Sequence, residues 1–421
     1  MVRKLTRRQW LQGVASGVMI TLTSCRAELP RPASTGVAEA ITKEETMNEP
    51  TPTPTSPQPP PATQAPVTQP VPLAVKIGQL FMVGFRGLTV DENHPIVHDI
   101  VERHLGGVVL FDYDVPNGEF VRNIASPQQV QELTGALQRA AASSSTAPPL
   151  LIATDQEGGK VARLRERDGF PATVSHAALG KANDVAATFA QAEAMARTLA
   201  EAGINQNLAP VVDLNINPAS PAIGAYERSF SADPQVVIAQ ARAFIEAHHT
   251  HNVLCTLKHF PGHGSAREDT HRGFVDVSAT WSPVELEPYA ALINAGLADA
   301  VMTAHVFNQA WSTSDPATLA PAAIQGLLRE EMGYTGVVIS DDMQMGAIRE
   351  FYTFDEAIEK ALTAGIDIIA IANNSIYDEQ VLVKGIAVIE RLLDEGKLTE
   401  ARIEQSYQRV MELKARLKAS V

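Results

Sequence analysis

Cysteine is nearly absent: Cys25 and Cys255 are the two thiols among 421 residues. Two cysteines this far apart rule out a disulfide-built scaffold, a four-cysteine metal site and the closely spaced pair of a zinc finger. Positive charge is also in short supply. Residues 1–72 carry seven Lys+Arg and five Asp+Glu, so 73–421 carry 27 against 43, a net of −16. A body this acidic is a poor non-specific binder of phosphate backbones, and no nucleic-acid partner is expected. No G-x-G-x-x-G follows an apolar run and no G-x-x-x-x-G-K-[ST] occurs, so nucleotide-binding folds lose their best support. Long apolar runs are missing too. The stretch 14–22 is too short to span a bilayer as a stable helix.

What the N-terminus does contain is a targeting pattern. Arg3, Lys4, Arg7 and Arg8 precede the short apolar stretch, as in an export signal. Leu22-Thr23-Ser24-Cys25 resembles the bacterial lipobox, in which the cysteine is lipidated and becomes the first mature residue. Thr6-Arg7-Arg8-Gln9-Trp10-Leu11 resembles a twin-arginine signal, with Trp where Phe is commoner. The expectation is a lipoprotein signal over 1–24 and a membrane anchor at Cys25, with the protein exported and facing outward. Cys255 lies in Val253-Leu254-Cys255-Thr256-Leu257 and reads as a small core residue. Between them, 25–72 is Pro/Thr-rich, with ten of the 27 prolines from Pro50 to Pro72. Without periodic apolar positions this segment cannot offset its ordering entropy and is expected to be a disordered tether. At ~3.1 Å per residue in polyproline II, 46–72 would reach roughly 80 Å.

From residue 73 onward, short apolar runs alternate with amphipathic stretches. The runs are 78–85, 106–111, 150–154, 207–214, 253–259, 300–306, 336–341 and 366–371. Continuous runs with little alternation suit strands covered on both faces, as in a parallel sheet. Helix starts are marked between them. Ser126-Pro127 and Asp233-Pro234 read as a cap followed by an N1 proline. Ser282-Pro283-Val284-Glu285 reads as a capping box, and Gly203 as the stop of a helix over 184–202. Eight strand–helix units over 73–421 predict an α/β protein built as a single (β/α)8 TIM barrel, in preference to a doubly wound sheet.

In such a barrel the chemistry lies where strands end. Here the runs end in Asp155-Gln156-Glu157, Lys258-His259, His305, Ser340-Asp341-Asp342 and Asn373-Asn374. Convergent carboxylates, imidazoles and a lysine imply one polar pocket. The densest stretch runs from Lys258 to His271, and its glycines and proline make it a shaped loop. Asp269 and His271 are two apart, so an extended backbone puts both on one side. A carboxylate there fixes the imidazole's tautomer and favours its protonated form, which gives a usable acid or base. A metal held by His259, His263, His271 and His305 is the rival reading. It is disfavoured because Lys258 stands beside His259 and no H-x-H ends the first strand. A Schiff-base role for Lys258 is a further alternative.

At these residues the chain resembles glycoside hydrolase family 3, in particular its bacterial β-N-acetylglucosaminidase branch. The matching motifs are Asp155-Gln156-Glu157-Gly158-Gly159 with Arg163, Glu227-Arg228-Ser229-Phe230, Lys258-His259-Phe260-Pro261-Gly262-His263-Gly264 with Asp269-Thr270-His271, and Ser340-Asp341-Asp342-Met343. They fall in family order across about 74–416. The resemblance implies Asp341 as nucleophile, His271 as acid/base and Asp269 as its partner. It implies Asp155, Arg163, Arg228, Lys258 and His259 as the sugar-binding shell. Lys160 departs from relatives that often carry Arg there, and the spacer 265–268 matches nothing assignable.

The implied activity is exo-acting, retaining release of terminal β-linked N-acetylglucosamine by a monomer, without cofactor or metal, in turnover of cell-wall or other amino-sugar glycans. Alternatives on the same site are a phosphorylase, which a histidine acid/base would favour, and a β-glucosidase. A non-catalytic sugar-binding lipoprotein is the alternative from another class.

Overall fold

Each of the eight apolar runs contributes one stave to a single parallel ring. The computed structural model describes residues 70–144 and 148–417. The signal 1–24, Cys25 and all of the tether up to residue 69 lie outside the described residues. The strands are β1 (Phe81–Gly84), β2 (Gly107–Val109), β3 (Leu151–Thr154), β4 (Gln206–Asn207), β5 (Leu254–Phe260), β6 (Val275–Asp276), β7 (Ala300–Thr303), β8 (Val306–Phe307), β9 (Val337–Ile339) and β10 (Ile369–Ile371). Their order is β10-β1-β2-β3-β4-β5-β7-β9, with parallel neighbours throughout. A parallel bridge between Ile339 and Ile368 joins the two ends, so the barrel closes. Closure leaves no edge strand for aggregation to extend.

Two differences from the sequence reading concern strands. The run 300–306 divides, because Val306 leaves the ring to pair, as β8, with β6 in a separate two-stranded ribbon. The fourth run forms regular ladder only over Gln206–Asn207, and a lone bridge from Val211 to Lys258 continues it.

Side-chain alternation sorts the strands' residues into two cores. Met82, Leu151, Ala153, Met302, Val337 and Ile339 meet inside the ring. Phe81, Val83, Ile152, Cys255, Leu257 and Val338 face the surrounding helices. This is the period of two that a pleated strand imposes. Each fully buried aliphatic side chain contributes about 1.5–3 kcal/mol relative to exposure. Cys255 is buried in the outer core, and burial pushes its thiol well above the ordinary range. It is a packing residue.

The helix signals mostly act as read. Ser126 caps Pro127–Ser143 by accepting from Gln129 N at 3.2 Å, and Asp233 caps Pro234–Thr250 by accepting from Gln235 N at 2.9 Å. Val185–Glu201 ends before Gly203, whose φ of 71° needs glycine and whose Cβ would strike Thr134 Oγ1 at 2.3 Å. The capping box does not form. Ser282 makes no side-chain cap over the 3₁₀ turn Pro283–Leu286. Glu285 is instead buried and accepts from Gly264 N at 3.2 Å, having been drawn inward by the glycine loop that packs on it.

The C-terminal helix Glu400–Ala415 stops the lower end of the barrel. Val410 and Leu413 join the inner core, while Lys414 Nζ donates to Gln79 Oε1 at 2.6 Å and Gly106 O at 2.8 Å. Gln79 lies two residues before β1 and Gly106 one before β2, so this is the end opposite the strand termini that carry the polar groups.

Candidate active site

The inward alternation continues past the strand ends and becomes polar there. Leu151–Ala153–Asp155, Leu254–Thr256–Lys258 and Val337–Ile339–Asp341 each climb the same side of their strand. Above the inner core they open into a cavity of about 410 Å³ floored by Met82, Val109, Leu208, Met302 and Ala370. Asp155, Arg163, Arg228, Lys258, His259, Asp269, His271 and Asp341 all line it. All eight site residues read from the sequence therefore surround one space.

A dense ion network builds one wall. Lys258 Nζ lies 2.8 Å from both Asp155 Oδ1 and Glu157 Oε1. Arg228 grips Glu157 through two bonds of 2.8 and 2.7 Å, the fork-to-fork geometry that a guanidinium favours. Arg163 donates to Asp155 Oδ2 at 3.1 Å. Burial opposes each charge, but the opposite charges prevail and push Asp155 and Glu157 well below the usual carboxylate range. Lys258 is held above its ordinary value against its own desolvation, by Asp155 and Glu157. An amine kept protonated in this way is a poor nucleophile, which counts against the Schiff-base alternative.

His259 is held from both sides. Its Nδ1 is 2.7 Å from Asp213 Oδ2 and its Nε2 is 3.0 Å from Arg228 Nη2. A guanidinium only donates, so Nε2 accepts and Nδ1 carries the proton toward Asp213. Asp213 also accepts from the backbone N–H of His263 at 2.8 Å. That carboxylate organises the start of the glycine loop.

His271 and Asp269 form the expected pair. His271 Nδ1 is 2.8 Å from Asp269 Oδ1, and the same oxygen accepts from His271 N at 3.0 Å. With Nδ1 engaged, Nε2 is the nitrogen left for proton exchange. The ring is 62% exposed. Desolvation by the pocket walls lowers its pKa, but the hydrogen bond to Asp269 and the charge of Asp341 outweigh this and raise it above the ordinary value.

Adjacent aspartates are shifted in opposite directions. Asp341 is disfavoured as an anion by burial, yet the imidazoles of His305, His259 and His271 and the Asp342 amide hold it below its ordinary value. Asp342 accepts from Gln344 N at 3.1 Å and Ala372 N at 2.9 Å, and burial pushes its carboxyl up to about 6. A carboxylate held below its ordinary value thus shares the pocket with an imidazole raised above its own. The neighbouring Asp342 is tied to backbone amides.

Sequence reasoning missed two supporting carboxylates. Asp112 directly follows the run 106–111, and Asp213 is the next-to-last residue of the run 207–214. Asp112 is buried and binds Arg165 at 2.8 Å and Arg167 at 2.7 Å beside the pocket. Among the described residues, no group of three or more His, Cys, Asp and Glu side chains is arranged to hold a metal ion.

A closed parallel barrel with carboxylates, a His–Asp pair and cations gathered at its strand ends has the arrangement of a glycosidase-type site. Residues 72–413 match the family model described as the Glycosyl hydrolase family 3 N terminal domain, and the chain belongs to that family. It is 33% identical over 394 residues to Beta-hexosaminidase A of Pseudoalteromonas piscicida, covering 85% of this chain and 63% of that protein. A Beta-hexosaminidase of Xylella fastidiosa is 37% identical over 310 residues, covering 71% of this chain and 85% of that one. Among solved structures, a family 3 beta-N-acetylglucosaminidase from Paenibacillus superposes with a TM-score of 0.75 at 36% identity. That match covers 84% of this chain and 64% of the other. A Beta-N-acetylhexosaminidase from Beutenbergia cavernae gives 0.73 at 29% identity, covering 82% and 99%. The chain thus spans less than two thirds of the length of the Pseudoalteromonas and Paenibacillus relatives.

Proposed function

We propose that this protein is an exo-acting, retaining β-N-acetylhexosaminidase that releases terminal β-linked N-acetylglucosamine. The observation that carries the proposal is the pairing of states in one pocket: an ionised Asp341 and an Asp269-bound His271 raised above its ordinary value. Environments that push two titratable groups apart are what acid and nucleophile roles require. The names of the relatives favour an amino-sugar glycan as substrate.

In the first step a carboxylate oxygen of Asp341 bonds to the anomeric carbon as the glycosidic C–O bond breaks. His271 gives its Nε2 proton to the departing oxygen. In the second step His271 takes a proton from water. The water oxygen bonds to the anomeric carbon, and the Asp341 carboxylate departs. Asp155, Arg163, Arg228, Lys258 and His259 are the groups this reading assigns to the sugar hydroxyls, through charge-assisted bonds, with Lys258 also holding Asp155 in place. We place the enzyme outside the membrane, anchored at Cys25, acting as a monomer on cell-wall or other amino-sugar glycans. The support for export and anchoring is the 1–25 sequence alone.

A panel of β-N-acetylglucosaminides, with the anomeric form of the released sugar followed with time, tests the proposal. Retention is expected. Inversion excludes the Asp341 intermediate, release of sugar phosphate only when phosphate is present marks a phosphorylase, and binding without turnover marks a non-catalytic protein. Asp341→Asn is expected to lower kcat/KM by on the order of 10³-fold or more. Near-wild-type rates in that variant would sink the assignment.

A further inference from the structure

The loop that carries His271 and the strand end that carries Asp341 meet at a residue with no side chain. Gly346 N donates to His271 O at 3.3 Å, and Ala347 N donates to Thr270 O at 3.1 Å. A Cβ on Gly346 would lie 2.8 Å from His271 O, 2.9 Å from Gly273 N and 3.0 Å from the Arg272 carbonyl carbon. All three are backbone atoms, which cannot swing aside as a flexible side chain would. The loop's other anchor is His263 Nε2, 3.2 Å from Thr270 Oγ1.

The segment leading from Asp341 to Gly346 is pinned along its length. His305 Nε2 donates to Asp342 O at 3.0 Å, and Met343 N donates to Ala370 O at 3.1 Å. Gln344 N donates to Asp342 Oδ1 at 3.1 Å, and Met345 N donates to Asp342 O at 3.0 Å. Gly346 therefore stands at a fixed place relative to Asp341. Where the 269–273 loop rests on it decides where His271 stands.

We propose that Gly346 is a positioning residue that sets the separation of acid/base and nucleophile, by letting the His271 backbone seat directly on the segment that follows Asp341. The inference rests on the roles proposed for Asp341 and His271. A methyl group there displaces the loop, and with it Asp269 and His271, while removing no side chain from the pocket. Proton transfer depends steeply on placement: misplacement by ~1 Å costs about 10²-fold, within the ~10²–10⁴-fold that general acid catalysis supplies. The damage must also be selective. An alkoxide needs the proton of His271 to depart, whereas a dinitrophenolate leaves without one.

The test compares kcat/KM, which reports the first chemical step, for wild type and Gly346→Ala. The substrates are an alkyl β-N-acetylglucosaminide and the dinitrophenyl β-N-acetylglucosaminide. The expected result is a fall of roughly 10- to 100-fold on the alkyl glycoside with the dinitrophenyl glycoside within about threefold of wild type. Equal losses on both substrates, or none on either, overturn the proposal. If the alanine variant does not fold, Thr270→Val decides: it cuts the strut to His263 without adding bulk. A smaller loss with the same selectivity is then expected, and an even loss overturns the proposal. Wild-type protein inactive on both glycosides overturns the glycosidase reading itself, a result distinct from active wild type with an unselective variant.

Discussion

At the scale of single residues, the chemistry of this site is a matter of which charge each group faces. His271 is raised by Asp269 and Asp341 against desolvation, so its acid form persists until the pH passes that raised value. Activity that needs the acid is present below it and lost as pH rises through it. Asp269→Asn removes the hydrogen-bonding charge, so the basic limb of the kcat/KM profile should move to lower pH, with kcat/KM at its optimum reduced by about 10- to 100-fold. An unmoved basic limb would show that Asp269 does not control the proton on His271. The sequence made Asp155, Lys258, His259 and Asp341 legible through one rule, a polar group where an apolar run stops. Asp269 and His271 are legible instead from the shaped loop, and Arg163 and Arg228 only from the family resemblance. The same rule applied to 207–214 and 106–111 would have picked out Asp213 and Asp112 as well. What it cannot do is separate pocket-facing groups from supports. That distinction depends on which cation comes near: Asp213 is claimed by His259 and Asp112 by Arg165 and Arg167, partners far away in the chain.

At the scale of elements, local signals held where nothing tertiary opposed them. Ser126 and Asp233 cap their helices because each side-chain oxygen accepts from a first-turn amide that has no partner within the helix. β6 and β8 are two residues each, β6 with no apolar run to announce it and β8 hidden at the end of the run 300–306. Glu285 shows the opposite outcome, since its local role as a cap was overridden by burial against the loop that holds Gly262 and Gly264. Burial there pushes its carboxyl from an ordinary 4.5 up to about 7. Between those values the unfolded chain has released the proton while the folded protein retains it, so stability falls as pH rises across that window. Glu285→Gln cannot ionise and should lack this decline. The Tm of the variant relative to wild type is expected to be more favourable at about pH 8 than at about pH 5, measured by thermal unfolding at both. A constant difference would mean that Glu285 ionises in the folded protein as it does in solvent.

At the scale of the whole molecule, the barrel has a polar end and a plugged end, and only the polar end was visible in the sequence. Counting eight apolar runs was enough to expect closure, because a ring of eight parallel strands leaves no edge. The plug was not visible, because Val410, Leu413 and Lys414 belong to a helix whose pattern resembles that of any amphipathic surface helix. Within the fold, Lys414 sits buried with a side-chain amide oxygen and a backbone carbonyl as partners. Neither is charged, and desolvation lowers its amine from an ordinary 10.5 to about 7. Between those values the unfolded chain holds a proton that the folded protein has released, so this lysine makes stability rise with pH. Below about pH 7 the folded protein must carry the buried charge, and the plug is then least favourable. Lys414→Met keeps the apolar stem and removes the charge, at the cost of two hydrogen bonds worth about 0.5–1.5 kcal/mol each. Denaturant unfolding of both proteins should therefore show the variant gaining on wild type at about pH 7 and losing that gain at about pH 10. Parallel pH profiles would show instead that Lys414 reaches water in the native state, and that the lower end of the barrel is open.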